Sequence, residues 1–142
     1  MACFFHAEYT NDVSFARLSR LEYMIDNNIY IGIANTDSDS PIEEEIGEPV
    51  CKVLHDFLLR IGNCKRFISS NADMKLAVIQ RELRILGEEL ILNNVIDITY
   101  NEKMGNSYGF FEVHKLYEEM FGEKPKDKLD VELIKIIYDE IK

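Results

Sequence analysis

Apolar side chains recur at spacings of three and four over much of this chain, the pattern of helices that bury one face. Residues 13–28 place Phe15, Leu18, Leu21 and Ile25 in such a row, with Asp12 as a cap and Asn27-Asn28 as a stop. Residues 49–62 carry a stripe of Val50, Val53, Leu54, Phe57, Leu58 and Ile61. Pro49 suits the first helical position there, and Gly62 suits the exit. The longest row, over 71–93, steps through Leu76, Ile79, Leu83, Leu86 and Leu90. A fourth helix is predicted over 109–122 through Phe110, Val113, Tyr117 and Met120, stopped by Gly122. A fifth runs from about 127 to 142, with Leu129, Leu133, Ile136, Ile137 and Ile141 inward.

Two stretches break that period. I-Y-I-G-I-A over 29–34 alternates Ile29, Ile31 and Ile33, as a strand would. C-F-F-H-A-E-Y over 3–9 is a candidate partner, and V-I-D-I-T-Y over 95–100 alternates as well. The pattern predicts a mainly α fold, a compact bundle of about five helices in one domain spanning 1–142. An α+β arrangement with a small sheet is the rival reading.

Composition narrows the class. A chain of 142 residues that is 46% hydrophobic, with eight Phe and seven Tyr, can build a core without disulfides or metals. The formal charge of -10 is unevenly spread. Residues 1–48 hold ten acids against two bases, whereas residues 49–142 hold sixteen against fourteen. Such a chain repels phosphate backbones and anionic membranes, so neither nucleic acid nor a membrane is expected as a partner. The start M-A-C-F-F-H-A-E reads as no secretory signal, and no run approaches the length of a membrane span. Three separated cysteines then suggest reduced thiols and a cytoplasmic setting.

Candidate chemistry is sparse. Cys3 and His6, Cys51 and His55, and Cys64 could offer soft ligands, but no C-x2-C pair anchors a zinc site. Cys51 and His55 sit one helical turn apart and project side by side, a poor arrangement for proton transfer. His114 beside Glu112 or Glu118 is a candidate acid-base group within an amphipathic helix. The pairs Glu88-Glu89 and Glu118-Glu119 diverge by about 100° on a helix and read as solvated faces. No nucleophile elbow, H-E-x-x-H or phosphate loop is present. The expectation is a non-enzymatic chain with no cofactor and no metal.

The acidic segment T-D-S-D-S-P-I-E-E-E-I-G-E, residues 36–48, is the strongest local feature. It holds six carboxylates and no base. It reads either as a solvated linker or as a docking face, in which Ile42 and Ile46 anchor inside a rim of Asp37, Asp39, Glu43, Glu44, Glu45 and Glu48. The function expected on that basis is inhibition of a basic protein, most naturally an immunity- or antitoxin-type protein that neutralises a toxin domain acting on nucleic acid. The alternative is a helical adaptor that takes an amphipathic helix in an apolar groove, and behind it a small enzyme using His114 or Cys51 and His55. The row from Leu76 to Leu90 also leaves room for a homodimer.

Overall fold

The computed structural model describes residues 1–10, 16–35, 48–99 and 112–142. It overturns the helical bundle. The centre is a mixed six-stranded sheet: β1 (Ala2–Tyr9), β2 (Leu18–Ile25), β3 (Asn28–Asn35), β4 (Glu48–Pro49), β5 (Arg66–Ser69) and β6 (Val95–Asp97). Four helices flank it: α1 (Val50–Arg60), α2 (Ala72–Ile85), α3 (Val113–Phe121) and α4 (Asp130–Ile141). The strand order is β4-β3-β2-β1-β5-β6. β1, β2 and β3 form an antiparallel meander, while β5 runs parallel to β1 and β6 parallel to β5. The architecture is α/β in three layers.

Alternation along the strands builds two cores, one on each face. Cys3, Phe5 and Ala7 of β1, with Leu21, Tyr23 and Ile25 of β2, point toward Val53, Leu54 and Phe57 of α1 and Ile79 and Leu83 of α2. Phe4, Met24 and Ile68 point the other way, toward Leu116 of α3 and Val131, Ile134 and Ile137 of α4. Gly32 on β3 lets α1 come close. A Cβ there would sit 2.7 Å from Val53 Cγ1.

Over its described residues, 16–28, the predicted helix is instead strand β2 and its turn into β3. A strand covered on both faces is apolar almost continuously, so its period of two is lost and chance spacings of three and four stand out. Leu18 and all of Leu21–Ile25 are buried. Asp26 and Asn27 form the two-residue turn into β3, both with positive φ (53° and 68°), which is hairpin rather than helix-stop geometry.

The predicted helix over 71–93 also ends early. Gly87 adopts φ 78°, the Glu88 N–H donates to Leu83 O and the Gly87 N–H to Arg84 O, which closes α2 as a Schellman motif. α2 packs on the sheet through Ile79 and Leu83 rather than presenting a coiled-coil seam. Among the described residues no helix is long and apolar enough to cross a membrane.

Candidate functional site

β1, β5 and β6 run in the same direction, so their carboxyl ends share one edge of the sheet. Successive strands extend the sheet on one side of β1 through β3 and then on the other side through β5. That reversal places a crevice at the ends of β1 and β5, where open α/β sheets take their ligands. A cavity of about 440 Å³ lies there. His6 and Glu8 of β1, Ser70 and Lys75, and His114 and Asp130 line it. The N-termini of α2, α3 and α4 all lie beside it, since each helix begins within about three residues of a lining side chain.

His6 and Glu8 are two apart on β1 and so share the face that carries Phe4. Asp130 is the first residue of α4. It is held in place because Glu22, buried on β2 directly opposite His6, accepts from the Val131 N–H at 3.3 Å and from Arg20 Nε at 2.6 Å. The Asp130 carboxylate then lies between two imidazoles: His114 Nε2 is 2.6 Å from Oδ1, and His6 Nε2 is 3.1 Å from Oδ2. His6 Nε2 is also 3.7 Å from Glu8 Oε1.

His6 is the informative member. It is 8% exposed, and neither ring nitrogen makes an aligned hydrogen bond among the described residues. An unsatisfied buried polar group costs about 1–3 kcal/mol unless something completes its environment. Burial pushes its imidazole down to about 4, the Lys75 ammonium pushes the same way, and the Asp130 carboxylate opposes them. His6 is thus neutral at pH 7, with a lone pair available inside a group of carboxylates. The ligating atoms of His6, Glu8 and Asp130 all lie within 4.8 Å of one another.

Lys75 reaches the same cavity from the first turns of α2. It is 6% exposed, and its Nζ donates to Ser70 Oγ at 2.8 Å. Burial lowers the ammonium to about 8, against the pull of the Asp130, Asp97, Glu22 and Glu8 carboxylates. Asp97 at the end of β6 fixes the start of α2. Its carboxylate accepts from the Asn71 and Ala72 N–H groups at 3.1 and 2.8 Å and from the Thr99 N–H at 2.9 Å.

Of the residues singled out in the sequence, His6 and His114 line this crevice. Asp37, Asp39, Ile42, Glu43, Glu44, Glu45 and Ile46 lie outside the described residues. Glu48 is exposed in β4 at the sheet edge and pairs with Lys52 Nζ at 3.1 Å. Cys51 and His55 make no joint site; His55 pairs instead with Glu88 at 3.0 Å. His114 was noticed for its neighbours Glu112 and Glu118, but its partner is Asp130, sixteen residues away. The H-A-E triplet at the end of a strand was a usable signal, since two ligand types spaced by two share one face.

No family model matches the chain, and no curated protein matches it.

Proposed function

We propose that the chain works through a divalent cation held by His6, Glu8 and Asp130 at the carboxyl edge of the sheet. The observation that carries this reading is the buried His6 imidazole, without an aligned hydrogen bond among the described residues, converging with two carboxylates. Ligands side by side on an ion at about 2.1 Å are about 3 Å apart. The His6–Asp130 separation of 3.1 Å fits that spacing, and Glu8, half exposed, can close the remaining gap. Mixed nitrogen and carboxylate ligation suits Mn²⁺, Fe²⁺ or Zn²⁺ better than Ca²⁺. Three protein ligands leave coordination positions open, the arrangement of metal sites that polarise a substrate or activate water. His114, exposed at the mouth and bonded to Asp130, is placed to carry a proton to or from such a site. The reaction class supported is metal-assisted hydrolysis.

Calorimetric titration with Mn²⁺ tests this. Wild-type protein is expected to bind one ion, with an affinity on the order of 0.1 mM for so few ligands. Asp130→Asn is expected to weaken it about a hundredfold while the circular dichroism spectrum stays unchanged. Equal binding by both proteins would remove the site.

A second reading keeps the non-enzymatic inhibitor of a basic toxin domain. What favours it is the row of Ile29, Ile31 and Ile33 on β3, 39–47% exposed, beside acidic Glu48 at the sheet edge. An apolar row next to acids suits a basic protein partner. Affinity for such a partner should fall steeply between about 50 and about 500 mM salt, across which the screening length shrinks about threefold. Salt-insensitive capture would exclude the mechanism.

A further inference from the structure

Lys75 is an odd residue to bury. Its ammonium must be carried into a cavity, where a charge is costly unless something answers it. Among the described residues its hydrogen-bond acceptor is Ser70 Oγ, one acceptor for three protons. A Met, one atom shorter, would fill most of the space without that cost. The surrounding charge gives a reason for the lysine: Glu8, Asp130, Asp97 and Glu22 all act on it. Two of these, Glu8 and Asp130, belong to the proposed metal set. Glu22 is answered by Arg20, which leaves Glu8, Asp130 and Asp97, one charge more than a divalent ion at His6 would answer, and Lys75 enters from the other face of the sheet to answer it.

We propose that the Lys75 ammonium is a resident cation of this crevice, which limits it to a single divalent ion and sets how tightly that ion is held. This rests on the metal reading above and deepens it. Ion and ammonium lie in one cavity and in the field of the same carboxylates, so each weakens the hold of the other. Removing the ammonium should strengthen metal binding, whereas loss of a merely structural lysine would leave binding unchanged or weaken it.

The test is Mn²⁺ titration calorimetry at one fixed pH and ionic strength on the full chain, comparing wild type with Lys75→Met and Lys75→Arg. Lys75→Gln stands in if the Met variant does not fold. Lys75→Met is expected to bind Mn²⁺ at least about tenfold more tightly than wild type, or to accept a second ion. Lys75→Arg, which keeps the charge, is expected to stay within about threefold of wild type. Equal or weaker binding by Lys75→Met overturns the inference and leaves the metal reading standing. Binding by Lys75→Met but not by wild type supports the resident cation and overturns the metal reading for the natural chain. Binding by none of the proteins overturns both.

Discussion

Replacing Glu82 with Ala is expected to cost about 3–5 kcal/mol of stability, the range for removing one partner of a buried charged pair. The side chain of Glu82 is 1% exposed. Its carboxylate accepts from Arg17 Nε at 3.0 and 3.1 Å and from the Leu18 N–H at 3.0 Å. These bonds tie α2 to the first residue of β2, across 64 positions of sequence. Truncation leaves the buried Leu18 N–H without that acceptor and the guanidinium without that counter-charge. The consequence reaches the crevice, because α2 also carries Lys75 and its first turn rests on Asp97. Urea unfolding at pH 7 is the measurement. Glu82→Gln, which keeps an acceptor, should lose markedly less than Glu82→Ala. A loss below about 1 kcal/mol for the alanine variant would mean that the pair contributes no more than a surface ion pair does.

Acid should destabilise the protein through His6. The imidazole sits near 4 when folded, against 6.5 when free. As pH falls, the unfolded chain takes up this proton first, so protonation favours unfolding. The contribution is complete above about pH 6.5 and is lost progressively down to about pH 4. At about 1.4 kcal/mol per pH unit, the gap amounts to roughly 3 kcal/mol. Burial sets it first; the facing Lys75, Arg20 and His114 push the same way, and Asp130 opposes them. Carboxylates elsewhere titrate at the lower end of that range, so the His6 share is read by difference. Urea unfolding of wild type and His6→Leu at pH 7 and pH 4.5 should show wild type losing about 2–3 kcal/mol more than the variant. Parallel losses in the two proteins would mean that His6 is not held neutral by its surroundings.

Much of the helical content was legible in the chain, and so were β1, β3 and β6 as alternating stretches, whereas β2 was hidden for one physical reason. α1 and α4 lie on the outside of the layers, so each keeps a wet face and a clean period near 3.6. β2 lies in the middle, dressed by helices on both sides, and its apolar residues run together. β3 kept its alternation because one face is covered by α1 while Ile29, Ile31 and Ile33 stand in the open. The end of α2 was written in Gly87, a left-handed stop in open space. The Asp26-Asn27 turn was legible as a break but not as a hairpin.

The crevice was less legible still. His6 and Glu8 are close in sequence, but Asp130 meets them only because Glu22 holds the first turn of α4 against β2. Lys75 reaches the same place from the opposite face of the sheet. No spacing along the chain carries that meeting; parallel pairing of β1 with β5 creates it. The acidic run at 36–48 stands out along the chain because its charge is dense in sequence. The acids at the crevice are sparse in sequence and dense in space.

The most direct test of the metal crevice is an anomalous difference map from crystals of the wild-type protein soaked in Mn²⁺. One peak is expected within about 2.3 Å of His6 Nε2, Glu8 and Asp130, with Lys75 Nζ still beside Ser70 Oγ. A map with no peak at the carboxyl ends of β1 and β5, or with a peak that excludes His6, would contradict it.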